Sequence, residues 1–173
     1  MMLNRRNFLL GGGAVAAGIL AVGRFPSLFA ADGTATAAPA GAKFAITHSP
    51  QEWQKLLTPR QYYILREAGT ERPYSSPLND EHRRGTFVCA GCRLPLFSSA
   101  AKFDSHTGWP SFWRPLDDAV AESRDSSFGM VRDEIHCRRC GGHLGHLFND
   151  GPAPTGLRYC MNGDALLFRP EKI

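Results

Sequence analysis

Apolar residues from Gly85 onward come in short runs cut by Gly, Pro, Ser and Asp. The runs are Thr86-Phe87-Val88, Pro95-Leu96-Phe97, Val120-Ala121-Glu122, Met130-Val131, Glu134-Ile135-His136, Leu157 to Met161 and Ala165-Leu166-Leu167-Phe168. None is long enough for a stable helix, and their spacing predicts a compact antiparallel β fold. Two short helices are predicted ahead of them. Ser49-Pro50-Gln51-Glu52 has a hydroxyl at the cap, Pro in the first turn and Glu three residues on, and Trp53, Leu56 and Leu57 follow at helical spacing. Thr58-Pro59-Arg60-Gln61 repeats the device for a helix that carries Tyr62, Leu65 and Arg66 and is expected to stop at Ala68, with Gly69 as its cap. Glu71 to Asp80 reads as coil.

The front of the chain follows another pattern. Asn4-Arg5-Arg6-Asn7-Phe8-Leu9-Leu10 leads into a Gly- and Ala-rich apolar run to Gly23, closed by Arg24 and Pro26, which reads as a signal peptide over residues 1–31. The paired arginines before Phe8 and Leu9 resemble a twin-arginine export signal, with Asn4 where Ser or Thr is more usual. The apolar run of 17 residues is short for a membrane span of about 20. The expectation is therefore export to the periplasm by the twin-arginine machinery, with an uncleaved membrane anchor as the alternative. Residues 32–44 read as a flexible linker and 45–173 as one folded domain. Gly11-Gly12-Gly13 follows no strand, so it is no dinucleotide loop.

Export changes the meaning of the charge. The whole chain carries +4, but Arg5, Arg6 and Arg24 precede Ala31 and no acidic residue does, leaving 17 basic against 16 acidic side chains, or +1. A balance so near neutrality gives no support to nucleic-acid binding.

Four of the five cysteines form two Cys-x-x-Cys pairs, Cys89/Cys92 and Cys137/Cys140, separated by 44 residues. Two such pairs suit a tetrahedral set of thiolates around one structural zinc that joins two distant hairpins. Redox-active dithiols are the competing reading, but no βαβ pattern surrounds the pairs. Two disulfides are another reading, for which a Cys-x-x-Cys spacing is tight. A chain exported already folded would carry its zinc with it.

Cys160 is the cysteine left over. In an extended segment Arg158, Cys160 and Asn162 share one face, with Tyr159 and Met161 on the other. A guanidinium beside a thiol favours the thiolate, and an amide can orient a neighbouring acid or base. The alternative is an inert buried cysteine. Between the pairs, Phe103 to Trp113 is an aromatic stretch broken by Gly108 and Pro110, either a stapled loop or an apolar wall that would receive a thioether. After the second pair come His143 and His146. With four thiolates already assigned to the metal, proton handling is the better use for at least one of them.

Together these motifs resemble the methionine-(R)-sulfoxide reductase family, B type. The resemblance runs from about Trp53 to Phe168 through Leu65 to Pro73, Cys89-Ala90-Gly91-Cys92, Gly108-Trp109-Pro110-Ser111-Phe112, His143-Leu144-Gly145-His146-Leu147-Phe148 and Arg158-Tyr159-Cys160-Met161-Asn162. It implies a mainly β fold of two antiparallel sheets, stapled by zinc, with short N-terminal helices. It also implies reduction of methionine-(R)-sulfoxide in proteins, with Cys160 as nucleophile passing through a sulfenic acid and a thioredoxin-like or other thiol as reductant; a monomer is expected. By the same resemblance His143 and His146 supply the acid, Arg158 biases Cys160, Asn162 positions a histidine, Trp109 packs on the substrate methyl, and Phe148 and Asp150 line the pocket.

Three positions depart from the family pattern. Gly163 stands where many members have Ser, His106 where Gly is usual, and Thr107 where members that resolve the sulfenic acid internally often carry Cys. The rival function is a non-catalytic zinc-stapled β binding module, and a disulfide-bonded structural protein is a third. Neither gives a reason for Cys160 beside Arg158, Asn162 and a pair of histidines.

Overall fold

The structure is a computed structural model and describes residues 44–126 and 131–172. The proposed signal peptide and almost all of the linker lie outside the described residues. So does Met130 of the predicted Met130-Val131 run. No helix among the described residues is long and apolar enough to cross a membrane.

Both helices start as the caps predict. In α1 (Pro50–Leu56) the Ser49 hydroxyl accepts the Glu52 amide and the Glu52 carboxylate accepts the Ser49 amide, so two otherwise orphaned donors are satisfied reciprocally. Thr58 and Gln61 do the same for α2 (Pro59–Glu67). Trp53, Leu57, Ile64 and Leu65 are buried, whereas Leu56 faces solvent. The end of α2 differs from expectation. Ala68, not Gly69, takes the left-handed cap at φ 50°. Gly69 is needed for space, because a Cβ there would run into the Tyr63 ring.

The β region forms two antiparallel sheets. The first has three strands in the order β2 (Pro95–Ser98), β1 (Gly85–Cys89), β9 (Leu166–Pro170). The second has six, in the order β3 (Lys102–Phe103), β4 (Ser111–Phe112), β8 (Arg158–Met161), β7 (His143–Phe148), β6 (Arg132–Cys137), β5 (Val120–Asp125). The sheets meet through aromatic side chains. Phe112 of β4 stacks on Phe97 of β2 with ring centroids 4.3 Å apart and meets Phe87 of β1 edge-on at 4.9 Å. All three rings are fully buried.

Val131 lies outside any strand and is exposed. Strand β7 is absent from the predicted runs although it is central to its sheet, because histidine and glycine break its apolar alternation. Strands β3 and β4 are only two residues long, below what a pattern can signal.

Candidate active site

Strand β8 alternates as its sequence requires. Tyr159 and Met161 turn into the core, while Cys160 is only partly buried. Register then decides its neighbours: Cys160 lies opposite His146 of β7 on one side and Ser111 of β4 on the other. A small cavity of about 120 Å³ opens at this point. Trp109 and Phe148 supply its aromatic wall, Cys160, His146, Arg132 and Asn162 its polar side.

Residues three apart on a regular strand face opposite ways. A register shift opposite Ile135 and His136 breaks the alternation in β7, and His143 and His146 meet edge-on with ring centroids 5.4 Å apart. Each ring has its own carboxylate. His146 Nε2 is 3.0 Å from Asp125 Oδ2, which also accepts from Arg132 at 2.8 Å, and His143 Nδ1 is 2.7 Å from Glu134 Oε1. Burial pulls His146 below the ordinary imidazole value, against the opposing hydrogen bond from Asp125. Burial pushes Glu134 up, but the bond and charge of His143, with help from Ser123, outweigh it and hold the carboxyl low. Of the two, His146 borders the cavity; His143 has Nε2 buried and without a hydrogen-bond partner among the described residues.

The expected pull of Arg158 on Cys160 toward the thiolate is present but does not prevail. Burial is the largest effect and leaves the thiol above its ordinary value, although Thr107, Arg158 and Ser111 all pull it down. Arg158 is shared with a carboxylate: its Nε and a terminal nitrogen donate to Asp150, both at 2.8 Å, and its guanidinium lies 4.2 Å from the Phe148 ring centroid. Asp150 is thus the counter-ion of Arg158, and neither residue lines the cavity.

Asn162 does not hold a histidine. Its amide donates to the Leu144 carbonyl at 3.1 Å and accepts the Glu71 amide at 3.0 Å. Glu71 is the residue that sequence reasoning missed. It is almost fully buried, its carboxylate accepts the amides of Gly163 (2.7 Å) and Asp164 (2.9 Å), and its carbonyl accepts Trp109 Nε1 at 3.2 Å. One residue thereby ties the turn after Cys160 to the aromatic wall. Its place within the motif segment Leu65 to Pro73 was the available signal.

The four remaining cysteines converge with all sulfurs within 4.8 Å of one another. Their two turns share one backbone pattern. The first Cys donates to the carbonyl five residues on (Leu94, Gly142) and accepts the amide four residues on (Arg93, Gly141). That fourth residue has φ 63° in Arg93 and 66° in Gly141. The Cys89 and Cys140 sulfurs are 3.8 Å apart and those of Cys92 and Cys137 3.4 Å, close to the edge of about 3.8 Å that a tetrahedron of Zn–S bonds near 2.3 Å requires. Arg66 donates to the Cys140 carbonyl and lies 3.8 Å from its sulfur, so a cation flanks the cluster of sulfurs. The donor set fits a metal ion.

Comparison with known proteins agrees with this geometry. Residues 57–170 match the SelR domain. The chain is 54% identical over 126 residues to the peptide methionine sulfoxide reductase MsrB of Agrobacterium fabrum, covering 72% of this chain and 93% of that one. It is 52% identical to the MsrB of Leptospira interrogans over 74% of this chain and 98% of the relative, and 51% identical to that of Methanosarcina barkeri over 76% and 93%. The chain belongs to the SelR (MsrB) family.

Within this SelR domain the three departures find local accommodation. Beside Gly163 the Ser76 side chain already fills the space that a Cβ would need. His106 keeps a glycine-like backbone at φ 56°, its amide donating to Asp104 and its carbonyl accepting the Tyr74 hydroxyl. Thr107 places Oγ1 3.8 Å from the Cys160 sulfur.

Proposed function

We propose that this chain reduces methionine-(R)-sulfoxide in oxidised proteins, with Cys160 as the nucleophile. The observation that carries this reading is the register: a lone thiol faces His146 across one strand pair, inside a cavity walled by Trp109 and Phe148. Trp109 packs on the substrate methyl, and the Cys160 sulfur attacks the sulfoxide sulfur. The sulfoxide oxygen takes a proton at the His146 side of the cavity, directly or through a water, and passes to Cys160 as the thioether departs. The sulfoxide gains two electrons and Cys160 loses two, becoming a sulfenic acid. An outside thiol then attacks that sulfur, water leaves, and a second thiol releases Cys160 from the mixed disulfide. Thr107 cannot perform this step, since a hydroxyl forms no disulfide; the reductant is a small thiol or a thioredoxin-like protein.

Cys89, Cys92, Cys137 and Cys140 would hold one zinc, which supplies a structural cross-link. The chain works as an exported monomer, carried folded by the twin-arginine machinery and repairing exported proteins. Replacing Arg5 and Arg6 with Lys is expected to retain the precursor in the cytoplasm, and normal export of that variant would point to the general secretion route.

The central test incubates purified protein with each sulfoxide epimer and dithiothreitol. Wild type is expected to consume the R epimer and Cys160→Ser neither, with fold and metal content unchanged. Turnover by Cys160→Ser would refute the assignment. A binding module would turn over neither epimer as wild type.

A further inference from the structure

Four polar groups beside Cys160 form a continuous chain that the reaction above does not use. Thr107 Oγ1 lies 3.8 Å from the Cys160 sulfur and 2.8 Å from Ser105 Oγ, and Ser105 Oγ lies 2.7 Å from Ser111 Oγ. Ser111 is completely buried, pairs with Cys160 in register, and donates to the Trp109 carbonyl at 3.2 Å. We propose that Thr107, Ser105 and Ser111 are positioning residues that hold the Cys160 sulfur through a hydroxyl chain whose polarity reverses when the thiol ionises. This rests on Cys160 being the nucleophile.

The donors available to these groups fix the direction of the chain. A carbonyl oxygen only accepts, so Ser111 spends its proton on Trp109. Ser105 then donates to Ser111 and Thr107 to Ser105, and Thr107 is left as an acceptor for the Cys160 thiol proton. Each hydroxyl gives one bond and receives one. A thiolate has no proton to give, so the chain turns over: Thr107 donates to sulfur, Ser105 to Thr107 and Ser111 to Ser105, and the Trp109 carbonyl loses its side-chain donor. The anion gains a charge-assisted bond at the end of a polarised series. The same reversed chain serves a sulfenate waiting for an outside thiol.

The charged groups around Cys160 act beside this contact. Arg158 on its own strand is paired with Asp150 and also draws the thiol down, after Thr107. His146 from β7 and Arg132 from β6 border the cavity, and both bond Asp125 of β5. From β4 the neighbour is the uncharged Ser111. Thr107 is the foremost of the groups that pull the thiol down against burial.

The test is the pH dependence of Cys160 alkylation by iodoacetamide in the full chain, which involves no sulfoxide and so stands or falls separately from the reductase reading. Thr107→Val, nearly isosteric, should react about tenfold more slowly than wild type at neutral pH, a hydrogen bond to a charged group being worth roughly a tenfold factor. The two rates should converge at pH above the thiol's titration in both proteins, because only the thiolate fraction differs. Thr107→Ser should restore the wild-type profile, and Ser105→Ala should shift it part of the way. Superimposed profiles for wild type and Thr107→Val, or a deficit that persists at high pH, or failure of Thr107→Ser to restore, would overturn the proposal.

Discussion

Glu71 offers the sharpest test of how the site is held, because its amide, carboxylate and carbonyl together fasten two distant segments, the turn 162–164 and Trp109. Truncation by Glu71→Ala leaves the buried amide of Gly163 and the half-buried amide of Asp164 without their acceptor. Each such loss costs about 1–3 kcal/mol, and release from burying a carboxylate offsets part of it, so a net loss of about 2–3 kcal/mol is expected. For a domain of this size that lowers Tm by about 10 °C. The pH dependence carries a second signature. Burial raises the Glu71 carboxyl above its ordinary value near 4.5, more than the amides of Gly163 and Asp164 lower it. A carboxyl whose folded pKa is raised binds protons more readily in the native state, so its contribution is fully present below pH 4.5 and declines as pH rises through the folded value. The gap between wild type and Glu71→Ala should therefore widen as pH falls from 7 toward 4. Denaturant unfolding at several pH values measures this directly, and KM for the sulfoxide should rise as the turn behind Asn162 and Trp109 loosens. An unchanged Tm, or a gap that narrows in acid, would refute the reasoning.

Three further outcomes are expected. Metal analysis should find one zinc per chain, and Cys89→Ser or Cys137→Ser should bind less and melt well below the parent, since a structural zinc contributes folding energy outright. Thr107→Cys should convert the enzyme to one that resolves itself: with the native Oγ1 already 3.8 Å from the Cys160 sulfur, one equivalent of sulfoxide without reductant should yield a disulfide, read as a mass loss of two hydrogens. Under the same conditions wild type should give a sulfenic acid trapped by dimedone with zinc retained, and a disulfide to Cys89, Cys92, Cys137 or Cys140 with zinc released would show that the metal site takes part in the redox cycle.

The features readable in the sequence are those whose cause is local. Both capping boxes involve residues three apart, and each Cys-x-x-Cys turn closes on itself, so helix starts and the metal cluster follow from spacing. The alternation of β8 likewise puts Tyr159 and Met161 inward without knowledge of neighbours. What the sequence did not reveal depends on partners far along the chain. The pull of Arg158 on Cys160 was legible in the alternation of β8, but the burial that outweighs it and the Asp150 carboxylate that shares the guanidinium appear only once the strands have paired. Asn162 looked like a histidine guide because its true partner, Glu71, is 91 residues away. The pairing of His143 with His146 needs a bulge, and nothing in a six-residue strand pattern announces one.

The topology also explains why four cysteines and one cysteine have different employment. Cys89 ends β1 of the three-stranded sheet, and Cys137 ends β6 of the six-stranded sheet. A metal held by both turns would therefore fasten one sheet to the other at the edge of the core where Phe87, Phe97 and Phe112 meet. Cys160 has no such position: it lies in mid-sheet, with β4 and β7 bonded on either side. Strand β7 begins three residues after Cys140, so disturbance at the second turn reaches His143 and His146 before it reaches Cys160. Loss of metal should accordingly disturb the His143–His146 pair and sheet packing first, while Cys160, braced by β4 and by the hydroxyl contacts from Thr107, keeps its place until the sheets separate.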